Sequence, residues 1–356
     1  MGCIALEDIE PGTLIVKEKI KCFSKMKFSD VDVKRDANSI SKFLCSMLDS
    51  FFAMEKNDQD EFFTLHNQYS DPTSISDKDK DKYSYWKKFA QASEEKYPCL
   101  HADCVLKIIG IFFSNSLSVG VGIKISRFNH SCSPNAEHSV CVSGYNPDGT
   151  GNGQGVMQIR ATSKIKKGEE ICLTYFSGLE IMRNRKERQE DLLKTYKFLC
   201  TCERCKDEEI HNDDETYEKF KKLLQGAEKR GKIAKNLLNW DDGKSLDFME
   251  KAISCQKQMY NLAIKKKATK GFITEIIIPE WWYLEINRYG IAQQYVYERG
   301  IKEFVVKMEY FKGECLKLAK IVFEMELTVN GKNSKDAIKW KERYEDFDNW
   351  CQKSCK

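Results

Sequence analysis

The chain has 356 residues, 41% of them hydrophobic and 12% aromatic, which excludes a disordered or collagen-like protein. A single core stops growing at roughly 250–300 residues, so two or more packed units are expected. The 58 basic and 54 acidic side chains nearly cancel, leaving a net charge of +4 and no basis for sequence-specific or general nucleic-acid binding. No apolar run reaches the roughly 18 residues of a membrane span. The opening MGCIALEDIEPG lacks a signal peptide's basic and apolar regions. A cytoplasmic or nuclear protein with no membrane partner is expected.

Residues 3–18 read as strand, turn and strand, with Ile9-Glu10-Pro11-Gly12 as the turn before the β-rich Thr13–Val16. Residues 36–68 read as helix, from the 3- and 4-residue spacing of Ile40, Phe43, Leu44, Met47, Leu48, Phe51 and Phe52. Residues 70–82 read as a polar loop, 83–97 as helix, and 102–114 as an apolar helix leading into Asn115. The Gly- and Asn-rich stretch 144–155 fits neither phosphate-binding glycine pattern and reads as a long hairpin connection. Residues 156–175 then echo the opening: Ala161, Ile165, Gly168 and Ile171 keep the spacing of Ala5, Ile9, Gly12 and Ile15. The echo suggests one β-domain split by an insertion. From Glu215 onward only amphipathic helix patterns remain, at 215–238, 244–267, 280–299, 301–328 and 334–354. Their connections are short, so neighbouring helices should run antiparallel in a bundle.

Fifteen cysteines are many for a reducing compartment, where a disulfide framework is not expected. Cys200-Thr201-Cys202-Glu203-Arg204-Cys205 puts three thiols in one tight turn. A closed structural zinc site takes four thiolate or imidazole ligands. Cys132, in the motif-dense segment Asn129–Asn135, is the candidate for the fourth. Cys99 and Cys104 with His101, and Cys351 with Cys355, are too loosely spaced and read as structural. His130 has two readings, a general base or a residue held through its backbone.

Three segments, NHSCSPN at 129–135, GEEICLTY at 168–175 and CTCERC at 200–205, together resemble a SET-domain protein lysine methyltransferase. Asn115-Ser116, Gly120-Val121-Gly122-Ile123 and Ser126 resemble the lead-in to the first motif. The cysteine-rich (post-SET) segment and the helical tail are similar to the SET-and-MYND type. Residues 19–99 hold no tight Cys/His array, so the MYND zinc module is absent. The resemblance implies an α+β fold: a split SET β-fold over 1–18 and 100–178, a helical insertion at 19–99, a zinc-bound post-SET element at 179–210 and a C-terminal α-helical bundle at 211–356.

The implied activity is S-adenosylmethionine-dependent methyl transfer to a lysine of a protein or peptide substrate, by a monomer. Such a transfer is an in-line displacement that needs an aligned, neutral amine. An apolar channel supplies that amine by lowering the lysine pKa. The resemblance makes Tyr175 the catalytic tyrosine and Tyr196 a wall of the lysine channel. It assigns the cofactor to Asn115, Asn129, His130 through its backbone, and Phe198 beneath the adenine. One zinc ion falls to Cys132, Cys200, Cys202 and Cys205. Gly2 matches the last glycine of a Gly-x-Gly loop that wraps the cofactor. A chain beginning at Met1 is therefore expected to bind S-adenosylmethionine weakly, unless a longer natural form carries the loop. The helical tail is expected to cover the SET domain and wall one side of the substrate cleft. The rival reading is a catalytically weak SET scaffold that binds protein partners through that tail.

Overall fold

The computed structural model describes residues 2–24, 37–75, 77–94, 101–117, 120–142, 155–206, 213–237, 244–265, 268, 270–273, 277–293, 304–332 and 334–354. The architecture is mixed α+β. The strands are β1 (Cys3–Ile4), β2 (Leu14–Lys19), β3 (Cys22–Phe23), β4 (Gly120–Val121), β5 (Asn129–His130), β6 (Ala136–Val142), β7 (Gly155–Ala161) and β8 (Glu170–Leu173). They form three small sheets in the orders β1-β8-β5, β2-β7-β6 and β3-β4. The proposed hairpin connection at 144–155 falls almost wholly outside the described residues, but the antiparallel strands β6 and β7 flank it.

The two echoing segments are not two separate hairpins. They pair with each other. Ile9 and Ile165 exchange backbone hydrogen bonds of 2.8 and 2.9 Å. The Gly168 N–H donates to Ala5 O at 2.8 Å, and the Gly12 N–H donates to Ala161 O at 2.8 Å. Each segment's glycine thus meets the other segment's alanine, in a local two-fold arrangement. Gly12 and Gly168 have φ of +85° and +88°, the region that favours glycine, and turn the chain at matching points. β1 and β2 consequently belong to different sheets, pairing with β8 and β7.

The insertion is helical, with corrections to its boundaries. α1 (Ala37–Phe52) ends, and α2 (Lys56–Phe62) follows a short break, where one continuous helix was expected. α3 (Asp77–Ser93) begins within the stretch read as a polar loop, because Lys82 does not stay in solvent. Its ammonium lies 4.8–5.3 Å from the ring centres of Tyr69, Trp86 and Phe113, beside the Tyr69 hydroxyl at 3.1 Å. Cation–π attraction fixes a residue that composition alone assigns to the surface. α4 (Ala102–Asn115) buries Val105, Ile108, Ile109, Ile111 and Phe112 against Phe43, Leu44, Met47 and Phe62 in one core.

After β8 come α5 (Arg185–Tyr196) and the single turn α6 (Glu203–Lys206). The tail is α7 (Asp213–Leu237), α8 (Lys244–Lys265), the short α9 (Lys270–Phe272), α10 (Ile278–Gln293), α11 (Phe304–Val329) and α12 (Lys335–Ser354). α7 packs on α8, α10 on α11, and α11 on α12. Among the described residues, the tail rests on the β-domain through α11, which packs on β6 and β7, and through the segment after β8. Gln158 Nε2 on β7 donates to Asn330 O at 3.1 Å, at the turn after α11. Ile181 and Met182 enter the tail core with Phe220, Ala227 and Ile253. No described helix is long and apolar enough to cross a membrane.

One buried carboxylate ties the first strands to the segment that leads into β5. Glu18, on β2, accepts the backbone N–H groups of Lys124, at 3.0 Å, and Ile125, at 3.2 Å. Those groups open the turn Ile125–Arg127 just ahead of Phe128 and Asn129. Glu18→Ala leaves these donors without an acceptor, so chemical denaturation should show a loss of about 1–3 kcal/mol. Glu18→Gln, which keeps one oxygen, should lose less. Faster amide exchange should be confined to residues 122–128.

Candidate functional site

Two cavities share Tyr175 as a wall. The larger, of about 600 Å³, is lined among others by Asn129, His130, Asn135, Glu170, Tyr175 and Phe198. The smaller, of about 50 Å³, is lined by Asn115, Leu117, Ile125, Phe128, Tyr175 and Tyr196 among others. Three short strands make this possible. Asn129 and His130 pair in parallel with Cys172 and Leu173, which brings the first two sequence motifs side by side. Asn135 reinforces the pairing, because its side-chain oxygen accepts the Cys172 N–H and its nitrogen donates to Glu170 O, both at 2.9 Å. The motif's second asparagine is thus a backbone clamp, a role the sequence reading did not assign.

Tyr175 donates its hydroxyl proton to Phe128 O at 2.8 Å, and its ring centre lies 4.9 Å from that of Tyr196. Burial, then the nearby Tyr196, pushes the Tyr175 hydroxyl up to about 12, so it stays protonated near neutral pH. Burial also raises the Tyr196 hydroxyl. A protonated tyrosine in this shared wall offers a fixed dipole and oxygen lone pairs, not a strong base. His130 is buried, and desolvation pulls its imidazole down to about 4. Its Nδ1 accepts the Tyr175 backbone N–H at 2.9 Å.

Asn129 and Phe198 stand in the wall of the larger cavity, and Asn115 in that of the smaller one. Asn129 Nδ2 donates to Glu170 Oε1 at 2.7 Å, and Gly2 is so close that a Cβ there would sit 1.9 Å from that oxygen. Asn115 Nδ2 is held by the carbonyls of His66 and Ile111, each at 2.7 Å. Lys197, in the left-handed conformation with φ of 63°, ends α5 between Tyr196 and Phe198. That reversal sends the two rings toward different cavities. Contrary to expectation, among the described residues none that lines either cavity comes from α7–α12.

In the wall of the larger cavity, which Cys200 and Cys202 line, Cys132, Cys200, Cys202 and Cys205 gather with all four sulfurs within 4.8 Å of one another. Cys132 Sγ lies 3.8 Å from Cys200 Sγ and 3.6 Å from Cys205 Sγ. A disulfide requires about 2.05 Å. A tetrahedron with metal–sulfur bonds of about 2.3 Å has edges of about 3.8 Å. The donor set and spacing therefore fit a thiolate-bound divalent ion. Two arginines missed in the sequence support the charge balance. Arg188 and Arg204 are 0% and 1% exposed. Arg188 Nη2 reaches to 4.0 Å from Cys205 Sγ, and Arg204 Nη1 donates to Cys132 O at 3.3 Å. The signal was their spacing around the cysteines, which charge patterns do not separate from exposed helix positions.

Residues 1–176 match the family described as SET domain. Histone-lysine N-methyltransferase set5 of Schizosaccharomyces pombe is 33% identical over 114 residues, covering 31% of this chain and 32% of that protein. Protein-lysine N-trimethyltransferase SMYD5 of Homo sapiens is 33% identical over 93 residues, 26% of this chain and 20% of that protein. A SET domain-containing protein, L678 of Acanthamoeba polyphaga mimivirus, is 29% identical over 238 residues, 63% of this chain and 78% of that protein. The chain thus spans a third or less of the length of the two named methyltransferases. With the paired motif strands and the matched segment agreeing, residues 1–176 of this chain are a SET domain.

Proposed function

We propose that the protein transfers a methyl group from S-adenosylmethionine to a lysine side chain of a protein or peptide, with one zinc ion bracing the site. The carrying observation is that Tyr175 lines both cavities, one roomy and carrying two carboxylates, the other narrow, uncharged and walled by aromatic and aliphatic side chains among serines and Asn115. The larger cavity suits the cofactor. Its lining offers amide and hydroxyl groups, an aromatic face at Phe198, and the carboxylates of Glu170 and Glu203, with no lysine or arginine. That charge favours a cationic ligand. S-adenosylmethionine, when bound, supplies an electrophilic methyl group on a positively charged sulfur. Asn129, Phe198 and the backbone of His130 would hold it.

The smaller cavity suits a lysine stem. Its walls include Phe113, Leu117, Ile125, Phe128 and Tyr196, and none of the ten lining residues is a carboxylate or histidine. Desolvation there favours the uncharged amine without a dedicated base. Tyr175, fixed by its bond to Phe128 O and shared by both cavity walls, would orient the reacting groups. Asn115 and Ser126 shape the channel wall. The division into a split SET fold, a helical insertion, a post-SET element and a helical tail belongs to the same proposal. The named relatives and the motif order favour this reading over a purely partner-binding scaffold.

Tyr175→Phe removes one hydroxyl and almost no volume, so the fold should persist. Methyl transfer to a peptide or protein acceptor, followed with labelled cofactor, should fall by about 100–1000-fold. Turnover at the wild-type rate rejects the assignment.

Elemental analysis of natively purified protein should find one zinc per chain. Cys202→Ser should lose most of it, and thermal unfolding should shift to lower temperature. Metal-free protein with unaltered stability rejects the metal assignment.

A further inference from the structure

We infer that His130 acts through its side chain as the hydrogen-bond donor to the Cys132 thiolate, linking the metal centre to the backbone of Tyr175. The inference rests on the metal assignment just made. The proton can be placed from geometry alone. A backbone N–H only donates, so the Tyr175 N–H, 2.9 Å from Nδ1, requires a bare acceptor nitrogen there. A neutral imidazole then carries its proton on the other nitrogen. That nitrogen, Nε2, lies 3.3 Å from Cys132 Sγ.

The ring has little freedom to leave this arrangement. It is 8% exposed, and its centre lies 5.2 Å from the Tyr175 ring and 5.1 Å from the Phe176 ring. Both nitrogens are therefore engaged, one by a backbone donor and the other by sulfur. Neither is offered to a reactant in the larger cavity, which removes the general-base reading of His130. A donor to a ligating thiolate draws electron density from the sulfur and sets its orientation. Outer partners of metal ligands tune affinity in this way. His130 is a positioning residue: one end steadies the metal ligand, and the other steadies the residue that carries the proposed chemistry.

Two substitutions separate the ends. His130→Asn keeps an oxygen near the Nδ1 position but has nothing to reach Cys132. His130→Gln keeps an amide N–H near the Nε2 position. Zinc affinity, read on folded protein by competition with a chromophoric chelator, should fall about 10–100-fold in His130→Asn. It should stay within a few-fold of wild type in His130→Gln. In cobalt-substituted protein, the thiolate-to-cobalt charge-transfer band should move to lower energy in His130→Asn alone, since an unshared thiolate is more electron-rich. If His130→Asn does not fold, the imidazole ¹⁵N spectrum of the metal-loaded wild type decides: the proton on Nε2 supports the inference, and the proton on Nδ1 overturns it. Wild-type metal affinity with an unshifted band in His130→Asn also overturns it, while the metal assignment stands. Wild-type protein without metal overturns that assignment first, and the inference with it.

Discussion

The parallel pairing of β5 with β8 is the constraint on which the site depends. Two residue pairs, Asn129 with Cys172 and His130 with Leu173, carry it. Two strands so short hold few ladder bonds, and the structure compensates. The Ser131 N–H donates to Leu173 O at 2.8 Å, and Asn135 bonds the β8 backbone on both sides of Ile171. The pairing fixes register, and register fixes function. A one-residue slip would exchange the faces of β8. Tyr175 would then leave the Phe128 carbonyl and the wall that the two cavities share.

Much of this was legible in the sequence, for identifiable reasons. Helical periodicity is local, so the tail helices emerged within a few residues of their observed ends, except that the far end of 280–299 lies outside the described residues. The three motifs are local as well. What the structure adds is mostly long-range. The echo between residues 5–15 and 161–171 was visible as spacing, but spacing does not reveal that the two segments pair with each other. Glu18 sits between Lys17 and Lys19 and looks like any exposed glutamate. Only the approach of residues 124 and 125 makes it a buried cap. Lys82 likewise belongs to a run of alternating charges, and only the rings of Tyr69, Trp86 and Phe113 distinguish it from its neighbours. The spacing of Cys200, Cys202 and Cys205 demanded a partner, and Cys132 now lies against two of them.

The thiol cluster shows how charge constrains the surrounding fold. Under the proposed metal assignment, four thiolates around one divalent cation leave two formal negative charges in a largely buried cluster. Arg188 and Arg204 supply two positive ones beside them. Buried guanidinium groups are costly unless paired, so the cluster and the arginines each make the other tolerable. Arg204 also donates to Ile181 O at 2.8 Å, which carries the bracing from the cysteine turn to the edge of the tail core.

That connection gives the tail a role different from the one expected of it. It touches the β-domain at Gln158 and through Ile181 and Met182, while the described cavity walls come from elsewhere. The narrow cavity is bounded by the end of α4, by the 125–128 turn and by Tyr196. α4 is itself held by the core of the insertion. Phe113 belongs to both, since it lines the narrow cavity and stacks on Trp86 with ring centres 4.6 Å apart. Changes in the insertion core therefore reach the narrow cavity through Phe113 and through Ser114 and Asn115, which are bonded to Gln68 and His66. Changes in the tail reach it through the cysteine turn and through Phe176, which packs on the tail core beside Tyr175. Under the methyltransfer reading, the insertion shapes which lysine enters, and the tail keeps the residues around the thiol cluster in register with Tyr175.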